Sequence, residues 1–422
     1  MPAIAGLRGT GNFAANEAPE DFREMILRLR PKGDAVIYSL LSQATGGGSA
    51  GSLGKEKCTD MRFHWWSEPS NIVRLQVNGA LLSSDTTVVV DSPDPAVGSL
   101  SVAYGTALNL VPGDILMVEP ATDVVSFNPE LLVVTAVASA TSFTVARGAA
   151  GGGAAAAIAD DKYLLKVGNA FGEGVNTEGS ATTNPLEYTN YCQEWRERYE
   201  ITDIAAATAH RTGNVLDNER KRKLFRHGRD IEMSLLFGRA HSDTDPNTGK
   251  PRRYTNGLRP QIPSRNTTVF SVDPTVDTTF DALVKTLEFT SDAGDERMVL
   301  CGQGALTMLN RVISSAHSGS FSFGDTLTTY GLDLRKLITP AGTFYFKSHP
   351  LLTQHPIFTY SMFILDFSAL RWRYLEGFDT KFEDNLQNKG DVVKWGRWRT
   401  IGGLEVWHGG LTCGYIGAYK DH

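Results

Sequence analysis

Cysteine is scarce and scattered. The chain has four in 422 residues, Cys58, Cys192, Cys301 and Cys413, with no CxxC pair and no histidine at metal-ligand spacing. Structural zinc sites draw their ligands from close pairs, so none is expected, and four reduced thiols are the simplest reading. Long hydrophobic runs are also missing. No window approaches the roughly 20 apolar residues of a membrane helix, and the opening MPAIAGLRGTGNFAANEAPEDF holds no run suited to a signal peptide. A soluble protein made in a reducing compartment, without membrane contact, is expected. Charge of one sign is weak: a formal net charge of −6 gives no global field that would gather nucleic acid. Nor does the sequence hold a convincing nucleophile–base–orienter set, so no enzyme, metal or cofactor is expected.

What the chain does contain is a long helix. Asn214 to Gly238 reads as one uninterrupted element of about seven turns, about 35 Å long at ~1.5 Å per residue. Asn214 or Asp217 can accept its first amide hydrogens, and Asp217–Lys221 and Glu219–Lys223 stand four apart in the favourable order. Leu224, Gly228, Ile231 and Leu235 fall on one stripe. Basic residues crowd this helix (Arg220, Lys221, Arg222, Lys223, Arg226, Arg229) and recur near the end of the chain (Arg371, Arg373, Lys394, Arg397, Arg399). Such runs suit phosphate contact, and suit a solvated face equally well.

Before this helix the pattern is extended. RFHWWSEPSNIVRLQV and EYTNYCQEWRERYEIT are aromatic-rich, and Tyr191, Trp195 and Tyr199 share one parity, as on one face of a strand. Phe63, Trp65 and Trp66 supply the facing row. An aromatic row on a hairpin can cradle a sugar, but packing under an adjoining subunit is the stronger reading, because aromatics are enriched at the centres of interfaces. Between the two segments lie short β-branched runs separated by Pro, Gly, Asn and Asp, from about 78 to 166, which read as a small all-β module inserted into a hairpin. Residues after the long helix read as strands and helices in separate groups, so the fold class is α+β.

Two motifs have plainer explanations. Gly47-Gly48-Ser49-Ala50-Gly51 matches GxSxG but sits in a glycine-rich tract without the strand and helix of a nucleophile elbow, and reads as linker. Gly302-Gln303-Gly304 follows a strand and opens a helix, yet the third glycine position is Thr307, and a tight strand-to-helix turn accounts for it. Glu17, Glu20, Asp21 and Glu24 open an N-terminal helix, FREMILRLRPKGD, where the helix dipole favours acids.

The order of these parts resembles the Hong Kong 97-type major capsid protein of tailed phages, in a subgroup with a β insertion in its extended loop. The residues that carry the resemblance are Asn16–Ala35, Phe63–Trp66, Gly168–Gly174, Arg211–Asn214 and Leu235–Ala240. It implies an N-terminal arm over 1–60 and an extended loop over 61–201 containing the module at 78–166. It further implies a peripheral domain over 202–275 with its spine helix at 214–238, an axial domain over 276–349 and a β-rich return over 350–422. The implied function is to build, through pentamers and hexamers, the icosahedral shell around packaged double-stranded DNA. The implied partners are further copies of the chain, a portal, and scaffold or decoration proteins, with assembly in the host cytoplasm and residence in the virion. Subunit contacts are then expected at Phe63, Trp65, Trp66, Tyr191, Trp195 and Tyr199, so that loss of Trp65 or Trp195 would spare the monomer. DNA-facing charge is expected at Arg220, Lys221, Arg222, Lys223, Arg226, Arg397 and Arg399. The rival readings are an encapsulin-type compartment and a carbohydrate-binding protein that uses the β module.

Overall fold

The computed structural model describes residues 35–43, 54–68, 74–91, 106–120, 128–174, 180, 185–208, 213–288, 294–315, 323–329 and 332–421. The expected N-terminal helix with Glu17, Glu20, Asp21 and Glu24 lies outside these residues, as does the GxSxG match at 47–51.

Helix α1 (Val36–Gln43) opens the described chain. Ile37 and Leu41, one turn apart, are fully buried, and Leu40 is nearly so. Its first turn is capped by a residue nearly two hundred positions away. The buried carboxylate of Glu232 accepts from the amides of Val36 at 3.1 Å, Ile37 at 2.8 Å and Tyr38 at 2.8 Å. These amides have no partner within the helix, and the helix dipole favours a negative group beside them. His349, also fully buried, places Nε2 2.7 Å from the same carboxylate.

Strands β1 (Gly54–Cys58) and β2 (Arg62–Ser67) lead into the β module. The module comprises β3 (Arg74–Gln76), β4 (Thr87–Val89), β5 (Asp114–Val118), β6 (Leu131–Val137), β7 (Ser142–Ala146) and β8 (Tyr163–Asn169). They form one antiparallel sheet in the order β3-β8-β5-β6-β7-β4. Alternation is visible in β7, where Phe143 and Val145 face inward between half-buried and exposed neighbours. Leu75, Val88, Leu116, Leu132, Val134 and Leu164 complete a core belonging to the module alone. Arg147 and Glu130 form a buried ion pair at 2.6 Å, and Glu130 also accepts from the amides of Gly148 and Ala156 at 3.2 Å each. The first and last strands of the module pair with each other, Arg74 opposite Leu165, so chain entry and exit lie side by side.

The chain returns as β9 (Leu186–Tyr191), antiparallel to β2 with Arg62 opposite Tyr191 and Ser67 opposite Leu186. It continues as β10 (Gln193–Thr202), a short helix α2 (Asp203–Ala207) and the long helix α3 (Val215–Phe237). Asn214 caps α3 by accepting from the Leu216 amide at 3.0 Å. At the other end Gly238 meets a second segment closely: a Cβ there would lie 2.6 Å from the Thr255 carbonyl oxygen. The buried side of α3 differs from the expected stripe. His227, Ile231, Glu232, Leu235 and Leu236 are buried, whereas Leu224 is 38% exposed. The reason is that α3 is covered from two directions, by β10 on one side and α1 on the other. The expected four-apart ion pairs are replaced by three-apart pairs, Arg220 with Asp217 and Arg222 with Glu219, while Lys223 reaches Glu197 at 2.9 Å.

After a small hairpin of β11 (His241–Thr244) and β12 (Pro251–Tyr254) come α4 (Leu258–Gln261), β13 (Thr267–Val269), α5 (Val276–Val284), β14 (Glu296–Cys301) and α6 (Gln303–Ser315). Then follow β15 (Phe323–Thr329), β16 (Leu332–Thr339), β17 (Gly342–Ser348), α7 (Pro350–Gln354) and β18 (Met362–Leu365). The chain closes with β19 (Leu370–Leu375), β20 (Lys381–Glu383), β21 (Val393–Val406) and β22 (Gly414–Gly417). One mixed sheet of seven strands runs β13-β22-β18-β14-β17-β16-β15. Leu283 of α5 and Leu309 of α6 pack on it with Val299, Phe344 and Ile364. The other large sheet runs β1-β19-β21-β10, with β20 added to β21. Long β21 carries Gly402 because the Trp372 ring lies over it; a Cβ there would sit 2.5 Å from that ring. Strands and helices group separately, as the α+β class requires.

Candidate assembly surfaces

The β2–β9 hairpin has two unlike faces. Phe63 and Trp65 are 6% and 7% exposed, whereas Trp66 is 62% exposed. Trp65 stacks between Phe63 and Tyr188 with ring centroids 5.9 Å away on each side, and its Nε1 donates to the Val406 carbonyl at 3.2 Å. This inner row rests on the chain's own long strand β21.

Strand β10 explains the larger departure from expectation. It pairs along its whole length with β21, Gln193 opposite Gly402 through Thr202 opposite Val393, and not with β2. Trp195 therefore turns into the main core, where it stacks on Trp372 at 6.1 Å and donates from Nε1 to Ser234 Oγ at 3.1 Å. Tyr199, 1% exposed, stacks on Phe382 at 6.0 Å and hydrogen-bonds Asp384. Phe63, Trp65, Trp195 and Tyr199 are thus corrected from subunit contacts to core side chains, because burial inside one chain leaves them no surface to offer a neighbour. Tyr191 is half-buried, with the Arg62 guanidinium 5.9 Å from its ring centre. Trp66 is the aromatic of this set that faces outward.

Exposed apolar residues that the sequence reading missed lie at the far end of β10. Ile204 is 76% exposed and Val392 65%, and the Asp203 amide donates to the Val392 carbonyl at 3.3 Å, so the two segments adjoin. An isolated isoleucine before an alanine run and a valine in DVV carry no sequence signal that distinguishes them from core.

Much of the basic charge is already spent within the chain. Arg220 pairs with Asp384, and its guanidinium lies 5.5 Å from the Tyr199 ring centre. Lys223 pairs with Glu197 at 2.9 Å, Arg397 with Glu383 at 2.5 Å, and Arg399 with Glu194 at 2.5 Å. Arg397 beside Glu383 holds that carboxyl below the usual carboxylate range. Neighbouring acids thus compensate Arg220, Lys223, Arg397 and Arg399, which leaves them less charge to offer phosphate than an unpaired side chain would have. Arg373 is likewise held by Glu56 and Glu405, and Arg371 is buried. The outward side of α3 is different. The side chains of Arg222 and Arg226 are 64% and 58% exposed, and Lys221 and Arg229 are exposed as well. Arg222, Arg226 and Arg229 recur at intervals of four and three, which sets them along one face. Glu219, paired with Arg222, and Glu197, 3.5 Å from Arg226, temper that face.

Beneath it, His227 is 2% exposed and its Nε2 lies 2.7 Å from Thr400 Oγ1. Burial pushes its pKa down from 6.5 to about 4, against a smaller opposing pull from Glu197. Between those values the unfolded chain binds a proton that the folded chain does not. Stability from this residue is therefore complete above about pH 6.5, falls as pH drops towards about 4, and levels off below, with a total loss of about 3 kcal/mol. Urea midpoints followed across that window should show this slope in the native chain and a shallower one in His227→Gln; parallel slopes would refute the assignment.

Gly302 and Gly304 serve packing rather than phosphate. A Cβ on Gly302 would lie 2.3 Å from the Thr359 carbonyl oxygen, and one on Gly304 2.8 Å from the Tyr360 ring. The amides that a phosphate would need are already bonded: Gln303 N–H to Thr353 Oγ1 at 3.2 Å and Gly304 N–H to Thr359 Oγ1 at 3.1 Å.

Comparison with known proteins gives three kinds of match. The profile of the family described as SU10 major capsid protein matches residues 7–409. The major capsid protein of Pseudomonas phage PaMx41 is 25% identical over 247 residues, which cover 56% of this chain and 57% of that protein. Among solved structures, the holo-SrpI encapsulin complex of Synechococcus elongatus PCC 7942 aligns with a TM-score of 0.40 at 9% identity, over 57% of this chain and 77% of that one. The capsid of Myoviridae Phage XM1 aligns with a TM-score of 0.37 at 12% identity, over 59% and 81%.

Proposed function

This chain belongs to the SU10 major capsid protein family, and from that premise we propose that it assembles with copies of itself, through pentamers and hexamers of the Hong Kong 97 type, into the icosahedral shell of a tailed phage. The carrying observation is the family match over residues 7–409, which takes in the hairpin, the β module, the long helix and both large sheets apart from the last strand, β22. It favours a viral shell over an enzyme-storing compartment. The role is structural and needs no catalysis. Assembly takes place in the host cytoplasm, with a portal and scaffold or decoration proteins as further partners, and the product resides in the virion. Outward Trp66, together with the exposed Ile204–Val392 pair, supplies apolar area for contacts between subunits. Electron microscopy and sedimentation of the chain, alone and with scaffold, test the reading directly. Rings or closed shells support it; a chain that stays monomeric in both conditions defeats it.

The enclosed double-stranded DNA is held without regard to sequence. Of the basic residues, Lys221, Arg222, Arg226 and Arg229 on the outward face of α3 are the ones offered to phosphate. Replacing Arg222, Arg226 and Arg229 by glutamine should weaken DNA binding and lower its log–log salt slope by roughly three, at ~0.9 per phosphate contact. An unchanged slope in filter-binding titrations places DNA on another face.

A further inference from the structure

Cys58 and Cys192 are separated by 134 residues in sequence, yet their sulfurs lie 3.2 Å apart in a buried cluster with Phe63, Trp65 and Ile401. Cys58 ends β1, which is fixed to β19 in the large sheet, with Cys58 opposite Leu375. Cys192 occupies the step from β9 to β10, and its amide donates to the Met61 carbonyl at 2.8 Å. The two sulfurs therefore sit where the β2–β9 hairpin is hung on the sheet. A disulfide bond is ~2.05 Å long, so closure needs a movement of roughly 1 Å, within the reach of side-chain torsions. A metal explains the pair less well. Two thiols fall short of a tetrahedral set, and among the described residues no cluster of three or more His, Cys, Asp or Glu is placed to hold an ion.

The other two cysteines provide an internal contrast. Cys301 donates to the Lys347 carbonyl at 3.3 Å, and burial raises its pKa. Cys413 is buried in the main core, and burial pushes its pKa up to about 12.

We propose that Cys58 and Cys192 form a redox-controlled intrachain disulfide site, closed by exchange with a small-molecule disulfide of the glutathione class. Cys58 is the attacking thiol. The Cys192 thiol within hydrogen-bond distance and the Arg373 charge nearby favour its thiolate, and it retains 8% exposure where Cys192 has none. The Cys58 thiolate attacks one sulfur of glutathione disulfide, whose S–S bond breaks to release one glutathione thiolate. Cys192 then loses its proton and attacks the Cys58 sulfur, expelling the second glutathione. Two protein thiols are oxidised, one reagent disulfide is reduced to two thiols, and both protons end on glutathione. In a reducing cytoplasm the pair stays open; after release into an oxidising medium it closes, tying the whole 59–191 excursion at its root. The thiol chemistry goes beyond the shell reading and does not rest on it; the passage from cytoplasm to oxidising medium does.

The test uses the full-length folded chain, equilibrated with glutathione disulfide, then acid-quenched, denatured, alkylated and analysed by mass spectrometry. Alkylatable thiols should fall from four to two, and a Cys58–Cys192 peptide should appear under non-reducing conditions and vanish with dithiothreitol. Cys58→Ser should retain all three remaining thiols, and Cys192→Ser should form no intrachain linkage, keeping either three thiols or two thiols and a Cys58–glutathione adduct that dithiothreitol removes. Four alkylatable thiols in the oxidised native chain, a persistent glutathione adduct on Cys58, or a linkage involving Cys301 or Cys413 would each overturn the assignment.

Discussion

Glu232→Ala should lower the unfolding free energy by about 3–5 kcal/mol, the range for removing one partner of a buried charged network. Alanine leaves the amides of Val36, Ile37 and Tyr38 without their common acceptor, and His349 Nε2 without its carboxylate. Ile37 and His349 cannot turn theirs to water, because both residues are fully buried. The damage should be directional. Helix α1 has eight residues, too few to persist once unanchored, so amide exchange should accelerate first at 36–38. Glu232→Gln should fall between the two, since one amide oxygen still accepts while its NH2 opposes the helix amides. Urea denaturation with hydrogen exchange reads both effects; a loss below about 1 kcal/mol, or exchange at 36–38 that changes only with global unfolding, contradicts the capping role.

Trp195→Ala should likewise remove about 3–5 kcal/mol, the usual range for emptying a large aromatic from a core. The indole is 6% exposed, stacks on Trp372, and gives its N–H to Ser234 on α3. Trp372 in turn meets Tyr38 edge to face at 5.4 Å, so one cavity loosens the sheet, the long helix and α1 together. Trp66→Ala is the matched control. With Trp66 62% exposed, its removal should shift stability by at most ~0.5 kcal/mol while depriving the hairpin of its outward aromatic. Comparing urea midpoints of the two variants distinguishes core from surface. Equal midpoints would restore Trp195 to the surface, where the sequence reading placed it.

The contrast shows what a sequence reveals and what it withholds. Period-2 alternation identified β2 and β9 as extended, and uninterrupted helical periodicity with an Asn cap identified α3 almost to the residue. Alternation tells which residues share a face, but not which strand lies opposite. For β10 that strand is β21, about two hundred residues later, and this decides that Trp195 and Tyr199 point inward. Charge has the same blindness. Arg399 reads as a free cation until Glu194 is seen beside it, and Glu232 carries no signal of its capping role until α1 is seen starting upon it. Cys58 and Cys192 read as scattered for the same reason. Local patterns are set by neighbours in sequence, whereas these assignments depend on long-range contacts.

The side-by-side pairing of β3 and β8 has a consequence in evolutionary time. A domain whose two ends leave at adjacent points, and whose core is its own, can be lengthened, exchanged or resurfaced without shifting the register of Arg62 on Tyr191. Substitutions and insertions can then accumulate in the module at one tempo. The sheets and the long helix, bound by the requirement to match identical copies of themselves, change at another.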